Sequence, residues 1–99
     1  MSKVLKSQKL KNNKLSRIVA IESKVFRRLL RHFRKRTDIQ NIDLMNTADF
    51  CRNCLSKWYM QSAKQKGIKL NYEEAKEVIY GMSYDKWKKK YQKPLSKDK

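Results

Sequence analysis

The side chains in this chain whose types and spacing invite chemistry are two thiols, Cys51 and Cys54, separated by Arg52 and Asn53. At positions i and i+3 of a helix they share one face and can chelate a soft metal ion together. A closed zinc site needs four ligands, and His32 is the single histidine of the chain. Zinc at Cys51, Cys54 and His32 would therefore also require a carboxylate such as Asp38 or Asp43, or two more thiols from a second copy across a dimer axis. The competing role is packing, because free cysteine is among the most buried residue types and the pair continues an apolar side carrying Leu55, Trp58 and Tyr59. Packing without a cofactor is the expectation, with zinc the alternative. Thiol redox chemistry has less support, since no βαβ pattern surrounds the pair.

Arginine placement is the second signal. Lys outnumbers Arg by nineteen to seven, yet Arg27, Arg28, Arg31, Arg34, Arg36 and Arg52 all fall between residues 27 and 52. A planar guanidinium binds carboxylate or phosphate with two prongs where a Lys would not serve, so these six are candidate anion-binding residues. Internal pairing with Asp38, Asp43 and Asp49 is the alternative. Asp38, Gln40, Asn41, Asp43 and Asn46 form a candidate polar site for a hard ion or a substrate, or else they close turns and cap helices. Eight of the ten aromatic residues lie between Phe50 and Tyr91. A domain this small has difficulty burying Trp58, Tyr59, Tyr80, Tyr84, Trp87 and Tyr91 together, which makes them a candidate partner interface. No Gly-rich phosphate loop, nucleophile elbow or metalloprotease motif is present.

The elements that must hold these residues are helical. From Ile18 to Phe33 apolar residues recur every three or four positions, with Ser16 available as a cap, which predicts a helix over 17–35 whose other face is basic. Residues 37–46 break that period and predict an ordered loop. A second helix is expected from Thr47 with Asn46 as its cap, ending at Gly67. Asn71 with Glu74 caps a third helix that Gly81 stops, and Ser83 caps a short fourth that Pro94 ends. Period-two strand patterns and internal repeats are absent. The expectation is an all-α bundle of about four helices over 16–94, a flexible basic arm at 1–15 and a flexible tail at 95–99.

Length and charge narrow the functions. A chain of 99 residues has room for one small domain. Its longest apolar run, Ile18-Val19-Ala20-Ile21, is far short of a membrane span, so a cytoplasmic protein with no membrane role is expected. A net charge of +17 favours an anionic partner, or reflects nothing more than lysine-rich composition.

Several strings are also familiar together: Phe26-Arg27-Arg28-Leu29, the run from Asp38 to Asn46, Phe50-Cys51-Arg52-Asn53-Cys54-Leu55, Trp58-Tyr59, and Tyr80-Gly81-Met82-Ser83-Tyr84 with Trp87 and Tyr91-Gln92. In this order they resemble a family of short bacterial proteins, domain of unknown function 1244. The resemblance implies a small helical bundle and carries no activity. Two positions depart from the family pattern: Asp49 where a very small residue precedes Phe-Cys, and Ser83 where Pro follows Gly-Met.

These readings favour a non-enzymatic interaction module. It would form a homodimer through its aromatic C-terminal half and bind an anionic partner, nucleic acid or acidic protein, through its first helix. A metal- or thiol-dependent enzyme centred on Cys51 and Cys54 and a non-specific nucleic-acid-binding protein are the alternatives.

Overall fold

A computed structural model describes residues 2–94, with side chains from residue 13 onward. The chain is all-α: α1 (Ser2–Lys35), α2 (Asn41–Ala48), α3 (Arg52–Gln65), α4 (Tyr72–Tyr80) and α5 (Tyr84–Tyr91), with no strand among the described residues. The expected tail at 95–99 lies outside them.

The chain divides into two units, residues 1–32 and residues 33–99. The first is α1 almost entirely. This helix starts at Ser2 and not near Ser16, so the stretch expected to be a flexible arm has helical backbone from Ser2 and Ser16 caps nothing. The local reason is composition. Lys, Leu and Gln are good helix formers, and neither Gly nor Pro interrupts the chain before Gly67.

The second unit takes the last residues of α1 and the four shorter helices. Its main packing is α3 against α4, with α5 against α4. Leu55, Ala75, Ile79, Tyr80 and Trp87 are buried there, together with Phe33 and Cys51. α4 is bracketed as the sequence predicts. Asn71 Oδ1 accepts from the Glu74 N–H at 2.8 Å, Glu74 Oε1 accepts from the Asn71 N–H at 2.9 Å, and Gly81 closes the helix at φ 78°. Ser83 caps α5 by accepting from the Lys86 N–H at 3.2 Å.

α2 is a correction. The stretch expected to be a loop is an eight-residue helix, entered through Gln40, whose backbone N–H donates to Asp43 Oδ2 at 2.9 Å. Asn46 lies inside α2 and does not cap α3. Asp49 ends α2 in the left-handed region at φ 66°, its N–H donating to the Met45 carbonyl, and α3 starts only at Arg52 with Cys51 as its extended N-cap. Gln40 and Asp49 flank one short helix with Asp43 in its first turn, a pattern masked by the polar residues between its aliphatic ones.

The left-handed turn at Asp49 suits glycine better than aspartate, since glycine has no Cβ to strain there. Asp49→Gly is therefore expected to stabilise the fold by about 0.5 kcal/mol, seen as a Tm higher by about 2–4 °C. At Gly81 the position is tighter still. An added Cβ would stand 2.7 Å from Arg34 Nε as well as at positive φ. Gly81→Ala should cost about 1–2 kcal/mol, and less in an Arg34→Ala background where only the backbone strain remains. Because the second unit begins at Phe33, a chain started at Ser16 should melt at the temperature of the full chain by circular dichroism; a fall of many degrees would contradict the domain division.

Candidate functional site

The centre of the second unit is a buried cation. Arg52, in the first turn of α3, is 1% exposed, and no ion pair involves it among the described residues. Its acceptors are neutral: Nη1 donates to Asn41 Oδ1 at 3.1 Å and Nη2 donates to the Arg36 carbonyl at 3.0 Å. The Arg52 backbone N–H also donates to Asn41 Oδ1 at 3.3 Å, closing one of the open donors at the start of α3. The guanidinium carbon sits 4.9 Å from the Trp87 ring centre and 5.3 Å from that of Phe33. Ring faces carry negative charge density, so the cation is solvated by two rings and two oxygens in place of water. Burial lowers the Arg52 pKa from its ordinary value, yet a guanidinium stays charged.

Asn41 passes this arrangement on. Its Nδ2 donates to Tyr80 Oη at 3.0 Å, and Tyr80 Oη donates to Asn53 Oδ1 at 2.6 Å. Asn53 Nδ2 in turn donates to Tyr84 Oη at 3.4 Å. Burial pushes the Tyr80 phenol well above its ordinary range. Gln40 anchors the outer end, donating from Nε2 to the Tyr91 carbonyl at 3.0 Å and accepting from the Lys93 N–H at 2.9 Å. Gln40, Asn41, Asn53, Tyr84, Trp87 and Lys93 border a cavity of about 270 Å³. Of the expected polar site, Gln40 and Asn41 reach this cavity, and their hydrogen-bonding groups are taken by the fold. Asp38 pairs on the surface with Arg36, Asp43 closes the α2 cap and Asn46 is exposed on α2. The five residues are not brought to one site.

The six arginines separate in the same way. Arg36 forms a two-pronged pair with Asp38, both bonds 3.0 Å, which raises the arginine's pKa and holds the carboxyl below the usual range. Arg34 Nη2 donates at 2.6 Å to the Val78 carbonyl in the last turn of α4, which has no basic residue of its own there. With Arg52 buried, three of the six are engaged by partners within the chain. Arg27, Arg28 and Arg31 remain exposed on α1, with no hydrogen bond or ion pair of theirs among the described residues, and with Lys24 and Val25 they line an open depression of about 540 Å³.

The aromatic group is corrected likewise. Tyr80 and Trp87 are 3% and 2% exposed and belong to the core, their rings 5.1 Å apart, with Tyr84 and Tyr91 half-buried against them. Trp58 and Tyr59 stay exposed, Trp58 stacked on Phe50 at 5.8 Å.

The thiols meet a neighbour that spacing alone does not reveal. Cys51 Sγ and Cys54 Sγ are 3.8 Å apart and unbridged, and Met45 Sδ of α2 lies 3.9 Å from Cys54 Sγ. Cys51 is buried, which pushes its thiol pKa up, while Cys54 is half-buried. Among the described residues no three His, Cys, Asp or Glu side chains are gathered as a metal site.

Replacing Arg52 by Leu strands the Arg36 carbonyl without its donor and leaves Asn41 Oδ1 with the backbone N–H of residue 52 alone. A loss of about 3 kcal/mol or more is expected in urea unfolding, with no rescue by Arg52→Lys, whose single ammonium cannot span both acceptors. Tyr80 supplies a pH test. Its pKa is raised in the folded chain, so its contribution is complete below the unfolded value of about 10 and is lost as pH rises toward the folded value. The chain should unfold in alkali, one of its five tyrosines ionising only with unfolding by ultraviolet titration, and Tyr80→Phe should remove that last step.

No curated protein matches the chain. Residues 39–99, from the turn before α2 onward, match the family described as "Protein of unknown function (DUF1244)", leaving α1 outside the match. The match spans more than half the chain, starts later than the Phe26 at which the familiar strings begin, and includes the thiol pair and Arg52 with its partners Asn41 and Trp87, while Phe33 and Arg36 lie before it. This protein therefore belongs to the DUF1244 family.

Proposed function

We propose that this protein is a non-enzymatic interaction module that docks an acidic protein segment along α1. The observation that carries the reading is the stripe Lys24, Arg27, Arg28 and Arg31. These residues stand at i, i+3, i+4 and i+7, on one helix face, all exposed and without internal acid partners among the described residues. Glu22 is the lone acid in residues 1–36, so pairing within the helix cannot neutralise the stripe.

A second feature favours protein over nucleic acid. Ile18, Ile21 and Val25 are 42%, 60% and 64% exposed beside the basic stripe. Phosphates have no use for an aliphatic row, whereas a helix with an acidic row and an apolar row matches both halves of this surface. Self-association through the same face would bring two strongly basic helices together and is disfavoured by like charge. The net charge of +17 also supports a background affinity for nucleic acid of the salt-sensitive, sequence-independent kind.

Fluorescence anisotropy with two labelled probes separates these. One is a synthetic helical peptide with aligned Glu and Leu rows, the other a single-stranded RNA of equal charge. Both should bind at low salt, and only the peptide should persist as salt rises, because its apolar contacts are not screened. Changing Arg27, Arg28 and Arg31 together to Gln should weaken the peptide by about tenfold or more, ~1.4 kcal/mol or above. Unchanged peptide affinity in that variant, or RNA outlasting the peptide in salt, would overturn the reading.

A further inference from the structure

We propose that Cys51, Cys54 and Met45 form a binding site for a soft monovalent cation, Cu(I), at the junction of α2 and α3. This goes beyond the docking role of α1 and does not depend on it, since all three ligands belong to the second unit.

The spacing of the sulfurs is the first argument. With a metal–sulfur bond of about 2.3 Å, two sulfurs on one ion lie about 3.8 Å apart in tetrahedral geometry and about 4.0 Å apart in trigonal geometry. The Cys51–Cys54 and Cys54–Met45 separations are 3.8 and 3.9 Å, within that range. Local structure sets both. Asp49 turns the chain sharply after α2, and Cys51 enters α3 as its N-cap, with Cys54 in the first turn, so the pair is delivered beside Met45 near the end of the preceding helix.

Ligand chemistry selects the ion. Two thiols and a thioether make an all-sulfur set, and softness of that kind selects Cu(I), whereas zinc sites are completed by histidine, carboxylate or further thiolate. No third His, Cys, Asp or Glu joins the thiols among the described residues. A thioether on the open side is a ligand to Cu(I) and a poor one to zinc.

Charge balance and access agree. On binding, two S–H bonds break and two Cu–S(thiolate) bonds form, the two protons leave to solvent, and Met45 donates a lone pair. Two thiolates and one Cu(I) leave a single negative charge. One of the two residues between the thiols is Arg52, a cation 1% exposed with no ion pair among the described residues, and the positive end of the 14-residue α3 dipole points the same way. Cys54 is half-buried and Met45 is 38% exposed, which leaves the ion a way in while Cys51 closes the inner side.

The test is anaerobic titration of the reduced full chain with Cu(I) held by a coloured chelator, with X-ray absorption on the loaded protein. One equivalent should move to the protein into a three-sulfur shell, and Zn(II) at the same concentration should not displace it. Met45→Leu keeps the volume of an exposed side chain, and should weaken Cu(I) by about tenfold or more and reduce the shell to two sulfurs. Cys54→Ser, at the half-buried thiol, should abolish stoichiometric uptake while circular dichroism still shows the folded helices. The proposal is overturned if the parent protein takes no Cu(I) from the chelator, if Cys54→Ser binds as the parent does, if Zn(II) displaces the ion, or if Met45→Leu leaves affinity and sulfur count unchanged.

Discussion

Arg52 holds the second unit together by being a charge in the wrong place. A guanidinium almost wholly removed from water carries a large desolvation penalty, and no carboxylate is paired with it to offset that. The offset comes from the Arg36 carbonyl, the Asn41 carboxamide and the faces of Phe33 and Trp87. These four residues come from the end of α1, the link after it, the start of α2 and α5. One side chain of α3 thus requires most of the other elements to be in place at once, and Tyr80 adds α4 through Asn41 and Asn53. The interaction stabilises the correct assembly less by its net energy than by the cost of every incomplete one.

The same device recurs in a chain with far more cations than acids. Lys76 is buried on α4 between the rings of Tyr72 and Tyr84, at 4.3 and 4.4 Å, with Glu73 at 2.8 Å from its ammonium. Lys88 covers the Tyr84 ring as well, 4.7 Å from its centre. With nine acids against twenty-six basic residues, salt bridges cannot neutralise this surface, and aromatic faces take part of the load. Tyr72, Tyr80, Tyr84 and Trp87 are accordingly used inside the domain, on cations and on the Tyr80–Trp87 core, while Trp58 and Tyr59 stay exposed.

This internal use of charge sharpens what remains outside. Arg34 satisfies a carbonyl at the end of α4 and lies so close to Gly81 that a larger residue there would collide with it, while Arg36 is tied to Asp38. On α1 the guanidiniums of Arg17 and of the stripe Arg27, Arg28 and Arg31 stay uncommitted within the described residues, and they lie outside the segment that matches the family. The family match and the docking surface proposed for this chain therefore rest on different parts of the molecule. The sulfur corner sits within the family segment, its two thiols on either side of Arg52 and Asn53.

Much of the architecture is legible in the residues taken one after another. Helix class, the amphipathic face of α1, the Asn71–Glu74 box, the Gly81 stop and the Ser83 cap are local events, fixed by side chains within a turn of each other. α2 was hidden because eight residues with polar side chains among the aliphatic ones give too short a period, and because its boundaries are set by Gln40 and by a left-handed Asp49 in place of the usual signals. What no spacing along the chain reveals is which cations are buried, which aromatic rings receive them, and that Met45 stands beside Cys54. Those depend on residues 9 to 51 positions apart meeting across helices, and a sequence records the types of such partners but not their distances. Local hydrogen bonding determines the helices from the sequence alone; the roles of Arg52, Tyr80, Trp87 and the two thiols are decided by tertiary packing, because desolvation and charge depend on what surrounds a group in space.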